Sequence, residues 1–275
     1  MRLDSALDHY LDALTNARLA LRSPSTLLPF LAFAVLQVLI LGALAFFTTP
    51  ALASLMVPVV RALGGEPALH YPTSFVLLPA TYRVVYLPLV ATVGFALWSL
   101  GVWSMIAHHD VGARTGARSF RRALPSMVSI GVVFVVVTVV IGRGLAILAA
   151  QLPPGIPSKI ATLAIIAVTA CAQALLVYAP AIVRLRGGGA LAAIRGSMGY
   201  ARRMFLPTAM VIVTVLVAHL PVDALVGNAD VLAARFRPEI VFHFMVGSIV
   251  LEVVTAFILF AGVVALALPE EGGLR

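Results

Sequence analysis

Residues 184–207, RLRGGGALAAIRGSMGYARRMFLP, decide the fold. Five arginines and five glycines sit in an amphipathic stretch wedged between apolar runs at about 160–183 and 207–226. A short basic segment between runs of that length marks a chain leaving a bilayer on its positive face, turning, and entering again. The device recurs. Arg121-Arg122-Ala123-Leu124-Pro125-Ser126 precedes one apolar run much as Arg202-Arg203-Met204-Phe205-Leu206-Pro207-Thr208 precedes another, and Arg22-Ser23-Pro24 leads to Leu28-Pro29 before the first. In each, a basic elbow meets a proline, expected in the first turn of a span where its missing N–H costs nothing. The expected unit is an elbow plus a two-helix hairpin, used three times.

Composition places the chain in lipid. Hydrophobic residues make up 61% and charged residues 11%, and mean hydropathy is +1.07. Soluble globular domains carry about 45–50% apolar and about 25% charged residues. The net charge of +8 lies in short pieces between apolar spans, with no basic domain to follow a phosphate backbone, so nucleic acid is not an expected partner. Cys171 is the only cysteine, which excludes an intramolecular disulfide and any cysteine-based metal site.

Along the chain, the reading is an all-α polytopic membrane helix bundle of six transmembrane helices with an N-terminal interfacial helix. In residues 1–26, Leu3, Leu7, Tyr10, Leu11 and Leu14 recur at helical spacing opposite Asp4, Asp8, Asp12 and Arg18, the pattern of a helix lying on the membrane. The membrane domain occupies 27–268, with spans at about 27–47, 84–107, 126–149, 160–183, 207–226 and 240–268. Residues 51–63 are too short to cross and are read as interfacial or re-entrant. Residues 74–83 are expected as an interfacial lead-in to the second span, and 269–275 as a cytoplasmic tail. Thirteen of the nineteen basic residues fall in segments that are internal if the N-terminus is, so both termini are expected on the cytoplasmic side of a bacterial inner membrane.

Few residues offer chemistry. Glu252 stands near the middle of the sixth span, where a charged carboxylate costs about 2.5–3.5 kcal/mol on insertion scales. Ser248 and Thr255 share its face at helical spacing. The fourth span carries Thr162, Thr169 and Gln173, and the first carries Gln37. Together they could line a polar path or make interhelical hydrogen bonds, with Glu252 protonated or paired to Arg143; the structural role is the preferred one. Arg83 and Arg143 are read as snorkelling to the outer headgroups. His219 and His243 are read as interfacial packing, and Trp98 with Trp103 as an interfacial belt. His108-His109-Asp110 is the one cluster of ligand-type side chains. Adjacent helical residues diverge, so no metal or other cofactor is expected there.

Enzyme signatures are missing. There is no HExxH and no P-loop, Gly187-Gly188-Gly189 does not follow a strand, and Gly196-Ser197 lacks the leading glycine of a nucleophile elbow. No catalytic residue is assigned. The basic elbows, with Arg118, Arg121, Arg122, Arg184, Arg186, Arg195, Arg202 and Arg203, are candidates for contact with anionic lipid or a partner subunit.

Tyr178-Ala179-Pro180-Ala181-Ile182-Val183, Gly187-Gly188-Gly189-Ala190, Ala193-Ile194-Arg195, Ser197 and Arg202-Arg203 resemble a pattern in a diffuse group of six-span bacterial membrane proteins. That group includes uncharacterised proteins and the membrane domain fused to some glycerophosphoryl diester phosphodiesterases. The resemblance covers about residues 175–215 and implies topology alone, since the phosphodiesterase would be a separate soluble domain. Arg184 and Met198 depart from it. The expectation is therefore a non-catalytic membrane protein, a scaffold or accessory subunit or a lipid-contacting helper alongside other membrane subunits. The alternative is the permease of an ATP-driven transporter, with Glu252 in the path and the elbows docking a cytoplasmic ATPase. An intramembrane lipid enzyme using His108 and Asp110 ranks last.

Overall fold

The computed structural model describes residues 3–109, 117–151 and 158–272. Asp110, Arg114, the proline-rich turn at 152–157 and the end of the tail at 273–275 lie outside them. The described residues form helices and turns with no strand. Six helices are long and apolar enough to cross a membrane: Pro24–Ala45, Thr73–Ala107, Phe120–Leu145, Ala164–Arg186, Phe205–Gly227 and Ile240–Leu268. The protein is thus an all-α, multi-pass membrane protein. Their outward residues fit that solvent, since Leu28 and Leu39 are each 65% exposed along Pro24–Ala45. An apolar stripe of that kind is stable only against lipid or another apolar surface.

The elements in order are α1 (Leu3–Ala20), α2 (Pro24–Ala45), α3 (Pro50–Gly64), α4 (Thr73–Leu89), α5 (Phe95–His109), α6 (Ala117–Ala150), α7 (Ser158–Leu176), α8 (Ala179–Arg186), α9 (Ala190–Arg203), α10 (Phe205–Gly227), α11 (Ala229–Arg235) and α12 (Ile240–Gly272). Packing divides the chain into two compact units. The first comprises Met1–Phe30, Val90–Val217 and Ala256–Arg275; the second comprises Leu31–Leu89 and Ala218–Thr255.

Aromatic packing centres the first unit. Phe30 meets Phe257 edge-on at 5.4 Å between ring centroids, and Phe260 lies 5.9 Å from Trp98 and 6.3 Å from Phe95. Trp98 and Trp103 are both buried, so they are core residues instead of an interfacial belt. Trp103 packs on Phe120 at 5.1 Å, with the Arg184 guanidinium over its ring at 5.1 Å. α1 seats its alanine face, Ala6, Ala13 and Ala17, and exposes Leu7 and Leu11. Ala13 lies against Gly262, and Tyr10 hydrogen-bonds Thr214 at 3.1 Å. The helix is thus held through its small residues while its leucines stay on the outside, where an interfacial helix would offer them to lipid.

Three boundaries differ from the sequence reading, each for a proline-related reason. Residues 74–83 are not separate from the second span. They are helical within α4, and Thr73–Ala107 forms one run, with a π-turn over Val90–Gly94 just after Pro88. Proline removes one backbone donor, and a wide turn is a common way for a helix to continue past such a fault. The fourth span is interrupted at Val177–Tyr178, ahead of Pro180, where α7 ends and α8 starts. Finally, Pro29 and Pro125 lie inside α2 and α6 instead of in the first turn, because those helices begin at Pro24 and Ala117. Of the elbow prolines, Pro24 and Pro207 sit within opening turns, those of α2 and α10.

The hinge stretch is held by hydrogen bonds. The Tyr178 N–H freed at the break donates to Ser197 Oγ at 3.2 Å, and the Tyr178 hydroxyl bonds Thr208 Oγ1. Gly187 and Gly188 take φ of 69° and 96°, backbone conformations that side chains other than hydrogen rarely adopt. They let the chain turn from α8 into α9. The face of α9 bearing Ala193, Ser197, Tyr200 and Ala201 is buried, and Arg195, Arg202 and Arg203 are on the exposed side.

Candidate functional site

The second unit builds a cavity from α2, α4, α10, α11 and α12. Apolar contacts fix those elements: Leu41 and Leu44 of α2, Phe75 and Leu78 of α4, Leu232 of α11, and Val241, Met245 and Ile249 of α12 form one buried cluster. Phe46, just beyond α2, joins it, 5.1 Å from Phe242 and 6.3 Å from Phe75. Away from the cluster, Arg61 in the last turn of α3 pairs with Glu66 at 2.9 Å. Both partners are more than half exposed, so that pair contributes little.

Beside the cluster lies a cavity of about 810 Å³, into which Gln37, Tyr82, Tyr86 and Glu252 project together with Arg83, His219, Asp223 and Ser248. Sidedness follows from spacing. On α4, Tyr82 and Tyr86 are four apart and share a face; on α10, His219 and Asp223 do the same; on α12, Ser248 and Glu252 repeat the interval.

Two linked hydrogen bonds organise the inner end. The Tyr86 hydroxyl donates to Glu252 Oε1 at 2.8 Å, and the Tyr82 hydroxyl donates to Gln37 Oε1 at 2.8 Å. The two rings lie 5.6 Å apart, tilted by 32°. Gln37 is fully buried, and its amide acts on the Glu252 carboxyl. Its Nε2 nevertheless has no partner in hydrogen-bond geometry among the described residues. A buried donor left without an acceptor costs about 1–3 kcal/mol, and the acceptor beside this one is the Glu252 carboxyl.

The outer wall is more polar. His219 Nε2 lies 2.8 Å from Thr255 Oγ1, and that hydroxyl is also 2.8 Å from the Leu251 carbonyl. With its own proton given to the carbonyl, the Thr255 hydroxyl oxygen is left to accept from His219 Nε2. Asp223 interacts electrostatically with both His219 and Arg83, and Asp230 lines the same side. Arg83 and Asp223 are exposed, so this end is open.

Of the residues read from sequence, Gln37, Ser248 and Glu252 meet at the cavity, and Thr255 joins it through His219. Thr169 and Gln173 are half-buried in α7, part of the first unit. Arg143 is exposed on α6; the partners of Glu252 are Tyr86 and Gln37. Arg121, Arg122 and Arg195 are exposed, while Arg184 and Arg186 lie over the rings of Trp103 and Tyr200 at 5.1 and 5.3 Å. The side chains of His108, His109, Arg118 and Thr162 lie outside the described residues. Among those described, no three of His, Cys, Asp and Glu come together as metal ligands. His243, on the exposed side of α12, bonds the Glu239 carbonyl just ahead of that helix.

Sequence reasoning missed Tyr82, Tyr86, His219, Asp223 and Arg83 as one group. The signal was available as i, i+4 pairs of hydrogen-bonding side chains, Tyr82 with Tyr86 and His219 with Asp223, inside apolar runs.

Tyr82→Phe tests the inner network. It strands Gln37 Oε1 in a fully buried position, so stability should fall by about 1–3 kcal/mol. The check is reversible unfolding in mixed micelles. Tyr82→Phe combined with Gln37→Leu removes both partners and should recover most of the loss; a double variant as unstable as the single one argues against the bond.

No protein-family model matches the chain, and no curated protein and no solved structure matches it.

Proposed function

We propose that this chain is the membrane-spanning component of a solute transporter in a bacterial cytoplasmic membrane, with both termini on the cytoplasmic side. The observation that carries the reading is the cavity around Glu252. A purely structural carboxyl would be sealed by its neighbours, whereas this one sits at the inner end of an open space of about 810 Å³ with Ser248 beside it. Ionisable groups within spans mark substrate or ion routes more often than packing.

The test uses water access. With Cys171→Ala as background, Ser248→Cys should react with a water-soluble maleimide at least about tenfold faster than Leu39→Cys on the apolar face of α2, because only a hydrated thiol ionises. Equal and negligible rates at both positions would sink the transport reading.

One observation favours a second role, that of accessory subunit or scaffold. α9 presents Arg195 and Arg202 on the face opposite its buried one, where anionic headgroups or another membrane subunit would find them. Extraction in mild detergent and mass spectrometry of what stays bound separates the two. A stoichiometric ATPase supports the transporter; other membrane subunits, or anionic lipid alone, support the scaffold. The six-span resemblance at 175–215 is compatible with either role.

A further inference from the structure

We propose that the cavity binds a protonated primary amine, held at Glu252 between the Tyr82 and Tyr86 hydroxyls. The inference rests on the cavity reading above and adds the class of ligand. Three observations carry it. The first is the direction of the hydrogen bonds: both tyrosines give their protons away, Tyr86 to Glu252 and Tyr82 to Gln37. Each phenolic oxygen therefore keeps lone pairs and no free proton, so the inner end offers acceptors. A primary ammonium carries three donors and no acceptor, and fits a carboxylate flanked by two phenolic oxygens.

The second is charge. The partners of Glu252 in the described structure are neutral, a phenol and an amide. Arg83 and His219, the basic side chains on the cavity wall, interact with Asp223. A cationic ligand would supply the charge the carboxylate lacks. The third is Gln37 Nε2, which acts on the Glu252 carboxyl without meeting hydrogen-bond geometry to any described residue. An amide donor beside the carboxyl can donate to the second carboxylate oxygen, or to an oxygen on the ligand a few atoms from its nitrogen. Two adjacent rings on the same wall add attraction for a cation over their π faces.

One chemistry has two sources: a free amino alcohol entering through the open end, or the ethanolamine headgroup of a membrane lipid. The probe is ethanolamine. Full-length protein carrying Cys171→Ala and Ser248→Cys is placed in nanodiscs of phosphatidylglycerol, and maleimide labelling is timed. Ethanolamine is expected to slow labelling at least tenfold, while ethylene glycol, its neutral counterpart, and inorganic phosphate leave the rate unchanged. Adding Glu252→Gln should remove the protection, with the variant still monodisperse and melting as its parent does. Tyr86→Phe, which removes one acceptor and keeps the ring, should weaken protection about threefold to tenfold. Slow labelling in discs containing phosphatidylethanolamine, with no ethanolamine added, identifies the headgroup as the source; parent-like labelling there identifies the free amine.

Protection by ethylene glycol or phosphate to the same degree overturns the amine while leaving the cavity standing, as does undiminished protection in folded Glu252→Gln. No labelling of Ser248→Cys under any condition overturns the cavity and the amine together.

Discussion

Tyr178→Ala is expected to cost about 3–5 kcal/mol, the range for deleting a large buried aromatic side chain. Tyr178 is fully buried, and its ring stacks on Tyr200 at 5.7 Å. Its hydroxyl meets Thr208 in the first turn of α10, and its N–H meets Ser197 on α9. One residue thus joins the break between α7 and α8 to both elements that follow. Tyr178→Phe keeps the ring and loses one hydrogen bond, so its cost should be about 0.5–1.5 kcal/mol. Unfolding of the purified protein in mixed micelles reads both. An alanine variant no less stable than the phenylalanine one would show that the ring packing is not what holds the elbow.

Gly131→Val should be nearly as damaging, through overpacking. A Cβ at Gly131 would stand 2.3 Å from the Ala91 carbonyl oxygen and 2.6 Å from Phe95 Cβ. α6 therefore touches the π-turn at backbone distance, the close approach that glycine permits between membrane helices. Neither neighbour is the end of a flexible side chain, so helix or turn must move, at about 1–3 kcal/mol or more. Gly142→Val is the matched control, because a Cβ there meets nothing within 4 Å. Similar losses from the two variants would mean that β-branching in α6, and not contact, sets the cost.

What could be read from the sequence follows from how local each signal is. Apolar runs of about 20 residues report membrane spans directly, and Glu252 stood out because a lone carboxyl in such a run has few explanations. Its partner was harder to find. Periodicity says which residues share a helix face, not which helix that face meets, so Arg143 was the obvious candidate although Tyr86 makes the bond. Tyrosine counts as apolar in composition, which hid Tyr82 and Tyr86 within the run that became α4. The prolines misled for a related reason. Pro125 and Pro180 look alike in sequence, yet one lies inside a continuous helix and the other follows a break. The difference lies in tertiary bonds, such as those of Tyr178 to Ser197 and Thr208, that no local pattern records.

α6 and α9 raise a question of mechanics. α6 runs 34 residues from Ala117 to Ala150 without a break, about 51 Å at 1.5 Å per residue, well beyond a hydrocarbon core of about 30 Å. It is continuous from end to end, although Pro125, four residues beyond Arg121, removes the hydrogen bond that the Arg121 carbonyl would otherwise accept. The arm carrying Arg202 and Arg203 is jointed instead, by Gly187 and Gly188 at one end and Met204 at the other, where α9 stops one residue before α10 starts. Of the two basic arms, only the first runs unbroken into its span.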